Sequence, residues 1–144
     1  MVPVNIGQSH WVLCIIEMMK GRLYFADSLA RSRRSMALTI LGNVRQWLED
    51  ELLAKNNMTT YHGRKIRDFQ LKPDFCVPQQ RDSGSCGVFA IMYAEAIEWY
   101  GGVKYFDFSA DSIRNMRDRM TLELLAGRLS LYGDSYTLRV AVAE

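Results

Sequence analysis

Residues 78–90 read Pro78-Gln79-Gln80-Arg81-Asp82-Ser83-Gly84-Ser85-Cys86-Gly87-Val88-Phe89-Ala90. The polar first half has the composition of a loop, and the apolar residues that follow predict a helix that runs to Tyr100 and stops at Gly101 and Gly102. Cys86 therefore stands at a helix N-terminus, where unpaired backbone N–H groups and the helix dipole favour a thiolate over a thiol. This position makes Cys86 the first candidate for a nucleophile.

A cysteine nucleophile needs a base, and the chain has two histidines, His10 and His62. His10 precedes the β-prone run 11–16, and a second run, 23–26, follows a Gly-containing turn and ends at Asp27. Two such runs predict a hairpin, in which the start of the first strand lies beside the end of the second. We therefore expect Asp27 to orient His10 as the base, and we expect His62, in a turn-like stretch, to be exposed.

The order and spacing of these residues resemble those of a known family. His10-Trp11, Asp27-Ser28 seventeen residues later, and Gln80 six residues before Cys86-Gly87 are together similar to the Ulp1/SENP cysteine proteases (peptidase family C48). That family processes and removes SUMO and related ubiquitin-like modifiers. The resemblance implies an α+β, papain-like fold of the Ulp1 type, with a mixed sheet flanked by helices.

The resemblance also implies a role for each site residue. His10, Asp27 and Cys86 would form the catalytic triad, Gln80 would donate to the oxyanion, and Trp11 would cover the narrow channel that admits the Gly-Gly end of the modifier. The implied activity is a cysteine-type peptidase or isopeptidase that cuts after this Gly-Gly end. Its partners would be SUMO or a related ubiquitin-like protein and its conjugates, and it would need no cofactor. No Cys/His cluster has the spacing of zinc ligands either.

Two features depart from the family pattern. Ser85 stands directly before the nucleophile, where the family usually has Asp, so a carboxylate is missing at that position. The catalytic histidine is residue 10, whereas family domains extend several tens of residues upstream of it. We expect residues 1–129 to be the C-terminal two-thirds of such a domain, followed by a tail over 130–144.

Composition indicates one unit with a real core, since the chain has 144 residues and is 49% hydrophobic. The net charge of +2 is too small to indicate nucleic acid as a partner, and no apolar run approaches the roughly 20 residues that span a bilayer. Three irregularly spaced cysteines favour a reducing compartment. We expect a monomer in the nucleus and/or cytoplasm. The basic cluster 31–34 fits a solvated loop, or contact with an acidic partner or nuclear targeting.

The remaining patterns predict a helix over 35–55, a strand over 69–72, and a last helix capped by Ser109 and stopped at Gly127. Away from the candidate site, three residues are expected to serve packing: Cys14, Cys76 and Trp47.

Other interpretations stay open. Cys86 could be a small buried hydrophobe, His10 a strand-edge residue, Asp27 a turn cap and Gln80 an ordinary loop residue. The chain could be a catalytically incomplete module that binds a ubiquitin-like protein, or a structural fragment. It could also be an acetyltransferase, because related effector enzymes use a similar Cys/His/acid arrangement.

Overall fold

The computed structural model describes residues 1–29 and 34–127. The predicted basic cluster therefore lies outside the described residues except for Arg34, which pairs with Asp74. The predicted tail over 130–144 also lies outside them. The strands are, in chain order, β1 Val2–Ile6, β2 His10–Glu17, β3 Arg22–Ala26, β4 Thr60–Tyr61, β5 Arg64–Lys65 and β6 Gln70–Lys72.

Among residues 1–29 and 34–127, four strands form the main sheet in the order β1-β2-β3-β6. The neighbours β1, β2 and β3 are antiparallel, and β6 joins parallel to β3, so the sheet is mixed. The predicted hairpin is confirmed as β2 and β3, with Leu13 opposite Ala26 and Glu17 opposite Arg22. Gly21, at φ +64°, lets the chain turn back into β3.

In the described part of the chain, three α-helices complete the fold: α1 Arg34–Asn56, α2 Cys86–Tyr100 and α3 Ala110–Ala126. They match the predicted helices to within one or two residues at each end. Ser109 caps α3, since its hydroxyl oxygen accepts the Ser112 N–H at 3.2 Å. Gly101 and Gly127 end α2 and α3 in the left-handed conformation that glycine adopts without strain.

The sheet is buried on both faces, as the alternation of side chains along β2 requires. Leu13 and Ile15 face the core beneath α2 and α3, while Val12 and Cys14 face the core beneath α1. This arrangement gives the predicted α+β fold, with a mixed sheet between helices. Among the described residues, no helix has the length and apolar character that a membrane span requires.

Of the three packing predictions, only that for Cys14 is confirmed. Cys14 is fully buried, and burial raises the pKa of its thiol to about 12. Cys76 is exposed, because it lies in the irregular segment after β6 rather than within a strand. Trp47 is 49% exposed, because it falls beside the buried stripe of α1 that Leu41 and Val44 occupy.

Candidate active site

Cys86 is the first residue of α2 and is buried, with 6% of its surface exposed. The helix behind it is anchored to the preceding loop, since the Tyr93 hydroxyl donates to the backbone carbonyl of Pro78. Burial, and after it the negative charge of Asp27, raises the pKa of this hydroxyl. The thiol is therefore held on a rigid helix start, and the end of β3 lies near the same helix.

His10 and Asp27 meet as the hairpin predicts. His10 Nε2 lies 2.7 Å from Asp27 Oδ1, and the two side chains are only 14% and 7% exposed. Asp27 Oδ1 also accepts the Leu29 N–H at 2.9 Å, which fixes the carboxylate. His10 Nδ1 is buried and has no hydrogen-bond partner in the described part of the chain. With the Nε2 proton directed to Asp27, Nδ1 carries the lone pair that a base needs.

Gln80 is buried, and hydrogen bonds hold its side chain in one orientation. Its side-chain carbonyl accepts the Ser28 hydroxyl at 2.5 Å, and its amide nitrogen donates to the Asp82 carbonyl at 2.8 Å. The Gln80 backbone N–H donates to the Ser28 carbonyl at 2.8 Å. One amide N–H of Gln80 is left without a partner among the contacts of the described residues. The neighbouring Gln79 donates to the Asp27 carbonyl at 3.1 Å, which also ties this loop to the end of β3.

Trp11 connects the hairpin to the start of α2. A Cβ placed on Gly87 would lie 3.5 Å from Trp11 Cδ1, so the indole packs beside the residue that follows Cys86. The ring is 42% exposed, which leaves part of it open to a ligand. His62, in contrast, lies in the exposed β4–β5 turn with its ring against Tyr61. Its predicted exposure is confirmed.

Asp82 and Arg117 belong to this region, and the sequence reasoning missed both. Ser85 is fully buried; its hydroxyl donates to Asp82 Oδ2 at 2.5 Å and accepts from Arg117 Nη2 at 2.7 Å. Asp82 therefore brings a carboxylate to the residue before Cys86, where the sequence had indicated that one was lost. The Ser85 hydroxyl first, then the Gly84 and Ser85 backbone N–H groups and the Arg117 charge, lower the pKa of Asp82.

One sequence signal could have revealed Asp82. An Asp in a Ser/Gly turn commonly accepts backbone N–H groups two and three residues onward. Arg117 gave no comparable signal, because its contact is made 32 residues away along the chain. Within the described residues, no three His, Cys, Asp or Glu side chains are arranged to hold a metal ion.

The model of the Ulp1 protease family, C-terminal catalytic domain, matches residues 1–128. The chain belongs to this family. The Saccharomyces cerevisiae Ubiquitin-like-specific protease 1 is 31% identical over 90 residues, which cover 62% of this chain and 13% of that protein. The human Sentrin-specific protease 2 is 27% identical over 135 residues, which cover 90% of this chain and 20% of that protein. The chain thus spans a fifth or less of these relatives.

Solved structures of the Ulp1 family confirm the fold. The C-terminal Ulp1 protease domain, solved in complex with Smt3, the yeast ortholog of SUMO, matches with a TM-score of 0.68 and 26% identity. The match covers 86% of this chain and 50% of that domain chain. The Chlamydia abortus effector protein ChlaDUB, at 17% identity and a TM-score of 0.52, shares the fold alone.

Proposed function

We propose that the chain carries the catalytic residues of a cysteine-type peptidase or isopeptidase that cleaves after the Gly-Gly end of SUMO or a related ubiquitin-like modifier. The observation that carries the proposal is the 2.7 Å contact between His10 Nε2 and Asp27, which leaves His10 Nδ1 buried and without a hydrogen-bond partner among the described residues. Family membership supports the reaction type, and the Smt3 complex of the Ulp1 domain supports the substrate class.

In the proposed first step, His10 Nδ1 takes the proton of the Cys86 thiol, and Asp27 stabilises the imidazolium that forms. The start of α2 stabilises the thiolate through its unpaired N–H groups. A related Ulp1 structure, with a TM-score of 0.67, was solved with its catalytic cysteine oxidised to a sulfenic acid. An oxidisable catalytic thiol in a relative supports a thiolate nucleophile at Cys86.

The thiolate then attacks the carbonyl of the last glycine of the modifier. The remaining Gln80 amide N–H and the Cys86 backbone N–H would hold the oxyanion, and losing one such donor costs about 2.7–4 kcal/mol in the barrier. The His10 imidazolium gives its proton to the leaving amine as the thioester forms. Water then attacks the thioester with His10 as base, which releases the modifier carboxylate and restores the Cys86 thiol.

Trp11 would cover the channel for the Gly-Gly end. Its half-exposed ring beside Gly87 supports this role, since glycine residues have no side chain and can approach an indole closely. We propose that the protein acts in the nucleus and/or cytoplasm, because its three irregularly spaced cysteines indicate a reducing compartment rather than a disulfide framework.

A SUMO bearing a C-terminal electrophile tests the proposal. Wild-type protein should be labelled covalently, and Cys86→Ala should not. Cys76→Ala is the matched control, because it removes an exposed thiol outside the site and should leave labelling unchanged. Probes based on NEDD8 and ubiquitin, used in parallel, identify the preferred modifier. Equal labelling of wild type and Cys86→Ala, or no labelling of wild type by any probe, would refute the proposal.

The same samples distinguish the alternative classes. A binding module would retain SUMO on a biosensor surface but would not form the covalent adduct. An acetyltransferase would acquire labelled acetyl groups on Cys86 from acetyl-CoA, which a protease should not do.

A further inference from the structure

Asp82 forms hydrogen bonds with both parts of the loop that would supply the oxyanion donors, the Gln80 side chain and the backbone just before Cys86. Its Oδ1 accepts the Gly84 N–H at 2.8 Å and the Ser85 N–H at 2.7 Å, immediately before Cys86. Its backbone carbonyl accepts the Gln80 side-chain amide at 2.8 Å. One residue therefore orders both the segment that presents the Cys86 N–H and the side chain that presents the Gln80 N–H.

Ser85 links this loop to α3. Its fully buried hydroxyl donates to Asp82 Oδ2 at 2.5 Å and accepts from Arg117 Nη2 at 2.7 Å. A buried hydroxyl between a carboxylate and a guanidinium forms charge-assisted hydrogen bonds in both directions, and these are about twice as strong as neutral ones. The loop before the nucleophile is thereby fixed to a helix 32 residues away along the chain.

We infer that Asp82, Ser85 and Arg117 are positioning residues that hold the two oxyanion donors, Gln80 and Cys86, in the geometry for catalysis. This inference rests on the proposed function. Oxyanion donors act by being fixed before the reaction, and a displacement of about 1 Å can cost on the order of 100-fold in rate. The Asp82 carboxylate accepts the two preceding N–H groups and leaves the Cys86 N–H available to substrate.

A second aspartate offers a matched control for a purely structural role. Asp107 accepts the Ser109 N–H at 2.9 Å and the Ser109 hydroxyl at 2.8 Å, and it also accepts the Ser112 hydroxyl. It thus makes the same kind of contacts before α3 that Asp82 makes before α2. Asp107 has no contact with Gln80 or Cys86 in the described structure, so its loss should affect stability alone.

The first test compares Asp82→Asn with Asp107→Asn by steady-state cleavage of a fluorogenic SUMO C-terminal substrate. We expect Asp82→Asn to lower kcat about 10-fold with an unchanged KM, because positioning affects the transition state more than binding. Asp107→Asn should keep the wild-type kcat while lowering the melting temperature to a similar degree. A kcat for Asp82→Asn within two-fold of wild type would overturn the inference, as would an equal loss in Asp107→Asn.

A rescue variant separates positioning from general damage. In Asp82→Asn/Ser85→Asp the carboxylate moves to position 85, where it faces Arg117 directly. The asparagine oxygen at position 82 can still accept the backbone N–H groups of residues 84 and 85. We expect this double variant to regain most of kcat. The inference is overturned if the double variant folds with the wild-type melting temperature but stays as slow as Asp82→Asn.

Amide hydrogen exchange at residues 84 and 85, whose N–H groups donate to Asp82, measures the same network without any substrate. Protection should fall in Asp82→Ala and remain in Asp107→Ala; equal protection in wild type and Asp82→Ala would overturn the positioning role. Wild-type protein that cleaves no modifier would refute the proposed function instead. The exchange data would then still show whether Asp82 orders this loop.

Discussion

The Ser28 hydroxyl donates to the side-chain carbonyl of Gln80 at 2.5 Å, although the two residues are 52 positions apart. Both side chains are buried, at 2% and 8% exposure. Ser28 directly follows the acid that contacts His10, so this hydrogen bond joins the proposed base and the proposed oxyanion donor in one rigid unit. The amide of Gln80 can present its free N–H in one direction only while this bond is in place.

Ser28→Ala should therefore slow turnover more than it weakens substrate binding. The variant leaves the Gln80 carbonyl buried without its partner, which costs about 1–3 kcal/mol and favours rotation of the amide. We expect kcat to fall about 10-fold, within the roughly 100- to 1,000-fold that loss of a whole oxyanion donor causes, while KM stays unchanged. Thr39→Ala, which removes an exposed hydroxyl on α1, is the control. An unchanged kcat in folded Ser28→Ala would show that Ser28 does not position Gln80.

Asp27→Asn should test the orientation of the base. The amide can donate to His10 Nε2, which would drive the ring proton to Nδ1 and remove the lone pair from the atom proposed to accept the thiol proton. We expect kcat to fall about 10²- to 10⁴-fold, measured with the fluorogenic SUMO substrate. Asp50→Asn, on the exposed surface of α1, should behave like wild type. Wild-type turnover in Asp27→Asn would contradict the triad.

The two cysteines outside the site should differ sharply in reactivity. Cys14 is fully buried and its pKa is raised to about 12, so its thiol stays protonated in the native protein up to strongly alkaline pH. Cys76 is exposed. We expect iodoacetamide to modify Cys76 in the folded protein and Cys14 only after denaturation, as read by peptide mass spectrometry. Alkylation of Cys14 in folded protein would contradict its burial.

The raised pKa of Cys14 also predicts how the free energy of unfolding changes with pH. In the unfolded chain the thiol loses its proton near its ordinary value of about 9, whereas the folded protein retains the proton to about 12. Burial of the neutral thiol therefore stabilises the fold fully below pH 9, and this contribution declines as the pH rises from 9 towards 12. Between pH 9 and 12, the free energy of unfolding measured with urea should fall more steeply with pH for wild type than for Cys14→Ala. Equal slopes for the two proteins would contradict this contribution of Cys14.

Local patterns predicted those parts of the molecule that depend on neighbouring residues. The hairpin that brings His10 to Asp27 follows from two β-prone runs and one glycine turn, and the start of α2 at Cys86 follows from a change in composition. The sequence could not predict contacts made by folding distant segments together. The hydrogen bond from Arg117 to Ser85 depends on how α3 packs, and the exposure of Trp47 depends on how α1 packs. The helical period alone does not predict whether a residue at the edge of the apolar face is buried or exposed.

Trp11 and Trp47 provide a matched pair for the proposed substrate channel. Their rings are similarly exposed, at 42% and 49%, but only Trp11 lies beside Gly87 and the nucleophile. We expect Trp11→Ala to raise KM for the SUMO substrate about 10-fold or more, because the exposed indole would lose its contacts with the Gly-Gly end. Trp47→Ala should leave both kcat and KM at wild-type values. The channel role would be refuted by equal KM values for the two variants, provided that circular dichroism shows both to be folded.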